Sequence, residues 1–159
     1  MKAKCFDIAE KTFQKIQDTF PELNMTIDYE DKYVDLSMVI LEQNGLDFDI
    51  HLNLQNDDEL HISTAFIWCQ LFSAESSELV DFFFESVVGL ISGEYRILQF
   101  VNKDKVYKSL LQKPNNENWE TIYRDHGRFK MPWTRVDKNV IQNGKEINLI
   151  ETYIKTNMS

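Results

Sequence analysis

The sequence predicts an α+β fold in which helices pack on one face of antiparallel meander sheets, over a single domain spanning residues 1–159. Three observations support this class: an N-terminal run with helical apolar spacing, a central run with strict two-residue alternation, and a strongly apolar helical run between two groups of strand-like segments. The predicted order is α-β-β-β-α-β-β-β-tail. With 43% hydrophobic residues among 159, the chain can bury a core, whereas the last ~20 residues are assigned to no definite element.

The opening helix is predicted over 3–20. Its apolar residues, from Phe6 to Phe20, recur near helical spacing. Pro21 ends the helix, because a proline disfavours the helical conformation of the residue before it.

Three strands are predicted next, at 33–41, 46–54 and 60–68, and a short strand around 25–29 is left open. The middle run is the clearest in the chain, because every second residue from Leu46 to Leu54 is leucine, phenylalanine or isoleucine and the residues between them are polar. A two-residue period predicts one buried face and one solvent-exposed face.

A second helix is predicted from about Ser76 to Ile91, with Ser73 or Ser76 as its N-cap and Gly93 at its end. Its apolar residues cover more than one face, which predicts a central position in the fold.

A second meander follows the helix, at 94–101, 105–112 and 119–125. The segment 133–141 could be a further strand, Asn143-Gly144 a turn, and 145–154 a final strand or a short helix.

The negative charge is concentrated in the first part of the chain. Residues 1–93 contain eighteen Asp and Glu against five Lys and Arg, whereas residues 94–159 contain eight against twelve. The first part therefore carries −13 and the second +4. This split disfavours nucleic acid as the ligand of the first part and favours either a basic protein partner or a self-association that pairs the two parts.

Carboxylates in the turns and solvent-exposed rows of the first meander are the predicted partner-binding residues. They can form a surface while the alternating apolar residues form the core. The set is Asp28, Glu30, Asp31, Asp35, Asp47, Asp49, Asp57, Asp58 and Glu59.

A metal site is an alternative use of Asp47, Asp49 and His51, which a continuous strand would place on one face. Alternate side chains on a strand are about 7 Å apart, so a further ligand would be needed, and a solvated polar row is the more ordinary expectation. His51, His61 and His126 could converge, but neither HxxxH nor CxxC spacing supports a zinc site. No metal or cofactor is predicted.

Catalytic motifs do not favour an enzyme. The chain contains none of GxxxxGK[ST], GxGxxG and GxSxG. A metal-dependent hydrolase using Asp47, Asp49 and a histidine is kept as an alternative to the predicted non-enzymatic protein.

A smaller candidate site is basic. Arg124, His126 and Arg128 recur at every second residue, and on an extended segment they would form an anion-binding edge. Trp119 and Trp133, interleaved with cations, could also stack on nucleic acid. The sequence pI of about 4.8 argues against nucleic acid, and these aromatic residues are expected to close the core or anchor a protein interface.

Three further features of the sequence bear on where in the cell the protein is expected. The charges of Asp7 and Glu10 interrupt the region where a signal peptide would be apolar. No apolar run is long enough to cross a membrane, and Cys5 and Cys69 are too few for a disulfide framework. A cytoplasmic protein with reduced thiols and no membrane partner is expected.

Size, charge and element order carry two resemblances. The segments ESSELVDFFFESVVGLISG, EYRILQFVNKDKVYKSLLQ and NWETIYRD, within residues 74–125, resemble the corresponding part of bacterial immunity proteins of contact-dependent and other polymorphic toxin systems. The resemblance implies a cytosolic inhibitor that covers the active site of one cognate toxin with an acidic surface.

The order of elements is also similar to that of type III secretion chaperones, which are small, acidic and dimeric. This second resemblance implies a homodimer formed through the Phe-rich helix. The strand at 119–125 and the basic tail depart from that family, which usually ends in an amphipathic helix. The oligomeric state is therefore left open between monomer and homodimer.

Overall fold

The computed structural model describes residues 2–64, 68–103, 105–125 and 130–144. Over these residues the elements are α1 (Phe6–Thr19), β1 (Met25–Asp28), β2 (Leu36–Ile40), β3 (Ile50–Gln55), β4 (Glu59–Thr64), β5 (Trp68–Ser73), α2 (Ser77–Ser92), β6 (Arg96–Asn102), β7 (Lys105–Asn115), β8 (Asn118–Asp125) and β9 (Asp137–Ile141). The predicted α+β class, the antiparallel meanders and the order of elements are confirmed. Neither of these helices has the length and apolarity needed to cross a membrane.

The first sheet contains β1 to β5 in sequence order, and every neighbouring pair is antiparallel. The predicted alternation is confirmed, since Leu46, Phe48, Ile50, Leu52 and Leu54 are all buried. One face of this sheet therefore contributes to the core, and the other carries polar side chains.

Several strand boundaries differ from the prediction, two of them in the middle of the first sheet. The run 60–68 was predicted as one strand, but β4 ends at Thr64 and Trp68 begins β5, which pairs back on β4. The alternating run 46–54 was also predicted as one strand, but β3 begins only at Ile50. Before it, Gln43 and Leu46 exchange backbone hydrogen bonds around Gly45, whose φ is 94°. This tight turn uses the backbone groups that a longer strand would have paired.

The two helices pack on the apolar face of the first sheet and against each other. The Phe83 ring lies 6.3 Å from that of Phe13 in α1 and 5.2 Å from that of Phe72 in β5. The predicted caps of α2 are confirmed: the Ser76 hydroxyl accepts the Leu79 N–H, and Gly93 ends the helix with φ 73°. Helix α2 is therefore central, as its apolar pattern predicts.

The second sheet has the order β8-β7-β6-β9 and is also antiparallel. Strand β9 confirms a strand within 133–141, although it begins at Asp137. Strand β7 continues through most of the predicted polar loop and turns at Asn116, whose φ is 55°. Ile97, Leu111 and Ile141 belong to the same core cluster as the first sheet.

A buried asparagine joins the two sheets after β9. The Asn143 Nδ2 group donates hydrogen bonds to the carbonyls of Gly45, at 2.8 Å, and of Ile91, while its Oδ1 accepts the Asp47 N–H at 2.9 Å. One side chain thus connects the β2–β3 loop with the end of α2. The predicted turn at Asn143-Gly144 is present, whereas the predicted element at 145–154 lies outside the described residues.

Candidate functional site

Seven of the nine predicted partner-binding carboxylates lie at one end of the first sheet. Because neighbouring strands are antiparallel, the end of β1, the start of β2, the end of β3 and the start of β4 meet there. We call this group the acidic end; it comprises Asp28, Glu30, Asp31, Asp35, Asp57, Asp58 and Glu59.

Hydrogen bonds from backbone N–H groups hold the two loops of the acidic end together. The Asp35 carboxylate accepts the Asp57 N–H at 3.1 Å, and the Asp35 N–H donates to the Leu54 carbonyl at 2.8 Å. The Asp57 carbonyl in turn accepts the Cys5 N–H at 3.0 Å. The acidic end is therefore tied to the sheet and to the start of α1.

The β1–β2 loop is shaped by its own carboxylates. Asp28 accepts the N–H of Glu30 at 2.8 Å, and Asp31 accepts the N–H of Tyr33 at 2.9 Å. Aspartate commonly forms such turns, because its short side chain reaches the backbone two residues ahead. These contacts restrict the loop before any partner is bound.

Two residues of the β3–β4 turn have a left-handed backbone conformation, which places the acidic side chains of this turn. Asn56 and Asp57 have φ values of 52° and 71°. Asparagine and aspartate enter this left-handed region more readily than most residues. Asp57 consequently lies exposed at the tip, while Asp58 and Glu59 are half-buried beside it.

Two exposed tyrosines stand among these acids, and sequence reasoning missed them. Tyr33 is 92% exposed and Tyr29 is 50% exposed. Tyr33 was predicted to begin a strand, but β2 begins at Leu36, so both tyrosines belong to the loop. The signal that could have found them is an aromatic pair within the charged, turn-forming segment YEDKY.

A shallow groove of about 380 Å³ adjoins Tyr33. Its walls come from the two loops of the acidic end, and it is lined by Lys32, Tyr33, Val34, Asp35, Gln55, Asn56 and Asp57. An exposed aromatic ring beside a polar groove is a common anchor in protein interfaces.

Asp47 and Asp49 lie at the opposite end of the first sheet, in the β2–β3 loop. Their carboxylates bind backbone groups: Asp47 accepts the Gly144 N–H and Asp49 accepts the Glu42 N–H, each at 2.7 Å. Since β3 begins at Ile50, these two acids do not continue the row of His51 along a strand. The structure therefore separates them from the other seven acids.

A histidine lies on the polar face of the first sheet, beside the acidic end. The Gln55 Nε2 atom is 2.8 Å from His61 Nε2, and Glu59 Oε2 is 3.3 Å from the same ring nitrogen. The pKa of Glu59 is lowered by hydrogen bonds from Asn56 first and then from His61. Among the described residues, no group of three or more His, Cys, Asp or Glu side chains is placed to hold a metal ion.

The predicted anion-binding edge lies only partly within the described residues, and the cysteine Cys5 is described. Arg124 is exposed on β8, but His126 and Arg128 of the predicted anion-binding edge lie outside the described residues. Cys5 is buried at the start of α1, and burial is the main cause that raises the pKa of its thiol. A raised pKa disfavours the reactive thiolate.

The Phe-rich helix α2 is engaged within its own chain. Its Phe82 ring lies 5.3 Å from Phe72, and the Lys15 ammonium lies 3.9 Å from the centre of the Phe84 ring. Phe83 is fully buried. These contacts leave little aromatic surface of α2 for a second copy, and the dimer implied by the secretion-chaperone resemblance stays a prediction.

Comparison with protein families, curated proteins and solved structures found no match to this chain.

Asp31 is expected to titrate below the ordinary aspartate range. Its pKa is lowered mainly by the Tyr33 N–H, with further hydrogen bonds from the Ser37 hydroxyl and the Val34 N–H. Because the folded pKa lies below the unfolded one, about 3.9, this stabilisation is complete above the unfolded value. It is lost as the pH falls through the folded pKa.

The measurement is an NMR titration of the Asp31 carboxyl carbon, combined with urea unfolding of Asp31→Asn. We expect the stability difference between Asp31→Asn and the natural chain to be largest near neutral pH and to shrink as the medium becomes acidic. A midpoint for Asp31 at or above the ordinary aspartate value would contradict this account of the loop.

Proposed function

We propose that this chain is a non-enzymatic protein-binding module whose acidic end binds a basic protein, in the manner of an immunity protein that neutralises a cognate toxin domain. The observation that carries the proposal is the position of Tyr33. It is 92% exposed and is held in a loop bounded by carboxylates from two adjacent turns.

Electrostatics would act first in this mechanism. The chain carries a net charge of −9, and the acidic end collects seven of its carboxylates at one place. Complementary charge speeds the encounter of two proteins and favours partners of opposite sign. A partner with a lysine- or arginine-rich surface is the chemistry that fits.

Aromatic burial would then hold the complex. Tyrosine is enriched among the residues that contribute most to interface free energy, because it buries a rigid apolar ring while its hydroxyl keeps a hydrogen bond. The Asx turns of Asp28 and Asp31 already restrict the loop that carries Tyr33. Less conformational entropy is therefore lost on binding than for a disordered loop.

The test uses the protein encoded next to this chain in its genome as the probe, with association followed by stopped-flow fluorescence. In the double variant Glu30→Lys/Asp58→Lys, we expect the association rate at low salt to fall about tenfold and its salt dependence to weaken. Glu30 and Asp58 are chosen because, among the described residues, the side-chain hydrogen bonds that shape the two loops involve Asp28, Asp31, Asp35 and Asn56 instead.

Glu94→Lys/Glu117→Lys is the matched control. Both of its residues are exposed and lie outside the first sheet, and the variant has the same net charge as the test variant. If the two variants slow association equally, total charge would explain the effect and the acidic end would not be the docking site.

Tyr33→Ala separates the anchoring step from the encounter. We expect the dissociation rate to rise roughly thirtyfold with a nearly unchanged association rate, as for a hot-spot residue. Since the Tyr33 side chain is exposed, the melting temperature should not change. An unchanged dissociation rate would remove Tyr33 from the interface.

A further inference from the structure

The outward face of the second sheet combines cations with apolar side chains. Cross-strand partners point to the same side of a sheet, so the registers assign one set of residues to the side opposite the buried Ile97 and Leu111. We call this set the basic face; it comprises Arg96, Leu98, Phe100, Lys108, Leu110, Gln112, Trp119, Thr121, Arg124, Lys138 and Val140.

The basic face contains four cations and no carboxylate. Arg124 and Lys138 are exposed, and Lys108 is half-buried. In the described part of the chain, none of these three forms an ion pair with a carboxylate. Within the described ranges, the charges of Lys108, Arg124 and Lys138 are therefore not neutralised by a carboxylate.

Among the described residues, no ion pair joins the acidic first part of the chain to the basic second part. The described ion pairs join Lys2 with Asp7, Lys4 with Glu75, and Lys113 with Glu120, and the His61 ring lies beside the Glu59 carboxylate. Each pair stays within the first 93 residues or within the second sheet, so no described pair connects the acidic end to the basic face.

The aromatic residues of the basic face favour a carboxylate ligand over nucleic acid. The Arg96 guanidinium lies 4.0 Å from the centre of the Trp119 ring, and the Lys108 ammonium lies 5.5 Å from that of Phe100. Rings covered in this way offer less surface for stacking bases.

We propose that the basic face binds the acidic end of a second copy of this chain, so that the protein self-associates head to tail. The acidic end supplies what the basic face lacks: seven carboxylates around the exposed ring of Tyr33. The basic face supplies cations around the half-buried apolar side chains of Leu98 and Val140. At physiological salt the Debye length is about 8 Å, so local complementarity counts more than the net repulsion between copies.

Two different surfaces meet in such a contact. A heterologous interface of this kind closes into a ring or extends as an open chain. It would also cover the surface proposed above for a basic partner, so partner binding and self-association would compete. The inference does not depend on that partner, because both of its surfaces belong to this chain.

Sedimentation velocity of the purified full chain tests the proposal. We expect the weight-average sedimentation coefficient to rise from micromolar to submillimolar concentration at low salt, and the association constant to fall at least about tenfold at high salt. The variants Arg124→Glu/Lys138→Glu and Glu30→Lys/Asp58→Lys should each remain monomeric. A natural chain that stays monomeric throughout this range would overturn the proposal.

Mixing the two variants gives the decisive result. The Glu30→Lys/Asp58→Lys protein keeps its basic face and the Arg124→Glu/Lys138→Glu protein keeps its acidic end, so the mixture should regain association as heterodimers. No association in the mixture would overturn the proposal. So would binding of a single-stranded oligonucleotide to the basic face of a natural chain that remains monomeric.

Lys11→Glu/Lys130→Glu is the control, since both lysines are exposed and lie outside the basic face. It should self-associate as the natural chain does, whereas a monomeric control would overturn the assignment of the surface. The variant Arg124→Glu/Lys138→Glu leaves the acidic end intact and should still bind a basic partner. Failure of the self-association is therefore distinguishable from failure of the proposed function.

Discussion

Replacing Phe83 by alanine is expected to lower the free energy of unfolding by about 3–5 kcal/mol. The Phe83 side chain is fully buried, and its ring packs against Phe13 of α1 and Phe72 of β5. Removing it would leave a cavity where both helices meet the first sheet, because the surrounding rings relax only partly. Urea unfolding followed by circular dichroism measures the loss as a lower midpoint with a similar slope.

Leu79→Ala provides the comparison on the same helix. Leu79 is 40% exposed, so its truncation is expected to cost about 1 kcal/mol or less. If both variants lost the same stability, Phe83 would not be the central contact between α1, α2 and the first sheet.

Replacing Gly93 by alanine is expected to cost about 3 kcal/mol, from two separate causes. Gly93 ends α2 with φ 73°, a conformation that disfavours any side chain. A Cβ atom at this position would also lie 2.3 Å from the backbone oxygen of Asn143. The clash is with backbone, so a rotamer change cannot relieve it.

Gly144→Ala separates the two causes. Its φ is 70°, yet an added Cβ would meet nothing within 4 Å. We expect a loss of only about 1 kcal/mol there, from the backbone conformation alone. Thermal unfolding of both variants gives the comparison, and equal losses would show that the contact between Gly93 and Asn143 adds nothing to the cost.

The contact at Gly93 is also where the two sheets are joined. Gln142 donates a hydrogen bond to the Gly93 carbonyl at 2.6 Å, and Asn143 binds the carbonyls of Gly45 and Ile91. A side chain at Gly93 would move this segment away from α2. We therefore expect the Gly93 variant to loosen the second sheet more than the first, which hydrogen exchange would resolve.

The local elements of the fold were predictable because they depend on neighbouring residues. The apolar alternation from Leu46 to Leu54 requires one buried face, and the burial is as expected. Ser76 and Gly93 are the caps of α2 because a hydroxyl satisfies free N–H groups and glycine accepts a positive φ. Such signals act within a few residues, so a sequence displays them directly.

The errors arose where distant groups compete for the backbone. Asp47 and Asp49 were expected in a strand, but the Asp47 N–H binds Asn143 and the Asp49 carboxylate binds the Glu42 N–H. Asn143 lies 96 residues further along the chain, and no local pattern reports such a partner. Likewise, β4 ends at Thr64 because β5 pairs back on it, although the apolar run continues.

The carboxylates of the candidate site were predictable from the sequence, but the role of Tyr33 and the arrangement of the site were not. The sequence by itself determined that the first 93 residues carry the negative charge, because composition does not depend on folding. Tertiary structure decided which carboxylates meet: antiparallel pairing brings the β1–β2 loop to the β3–β4 turn and leaves Asp47 and Asp49 at the opposite end. It also decided that Tyr33 is exposed among those acids, since the exposure of an aromatic ring depends on where its strand begins.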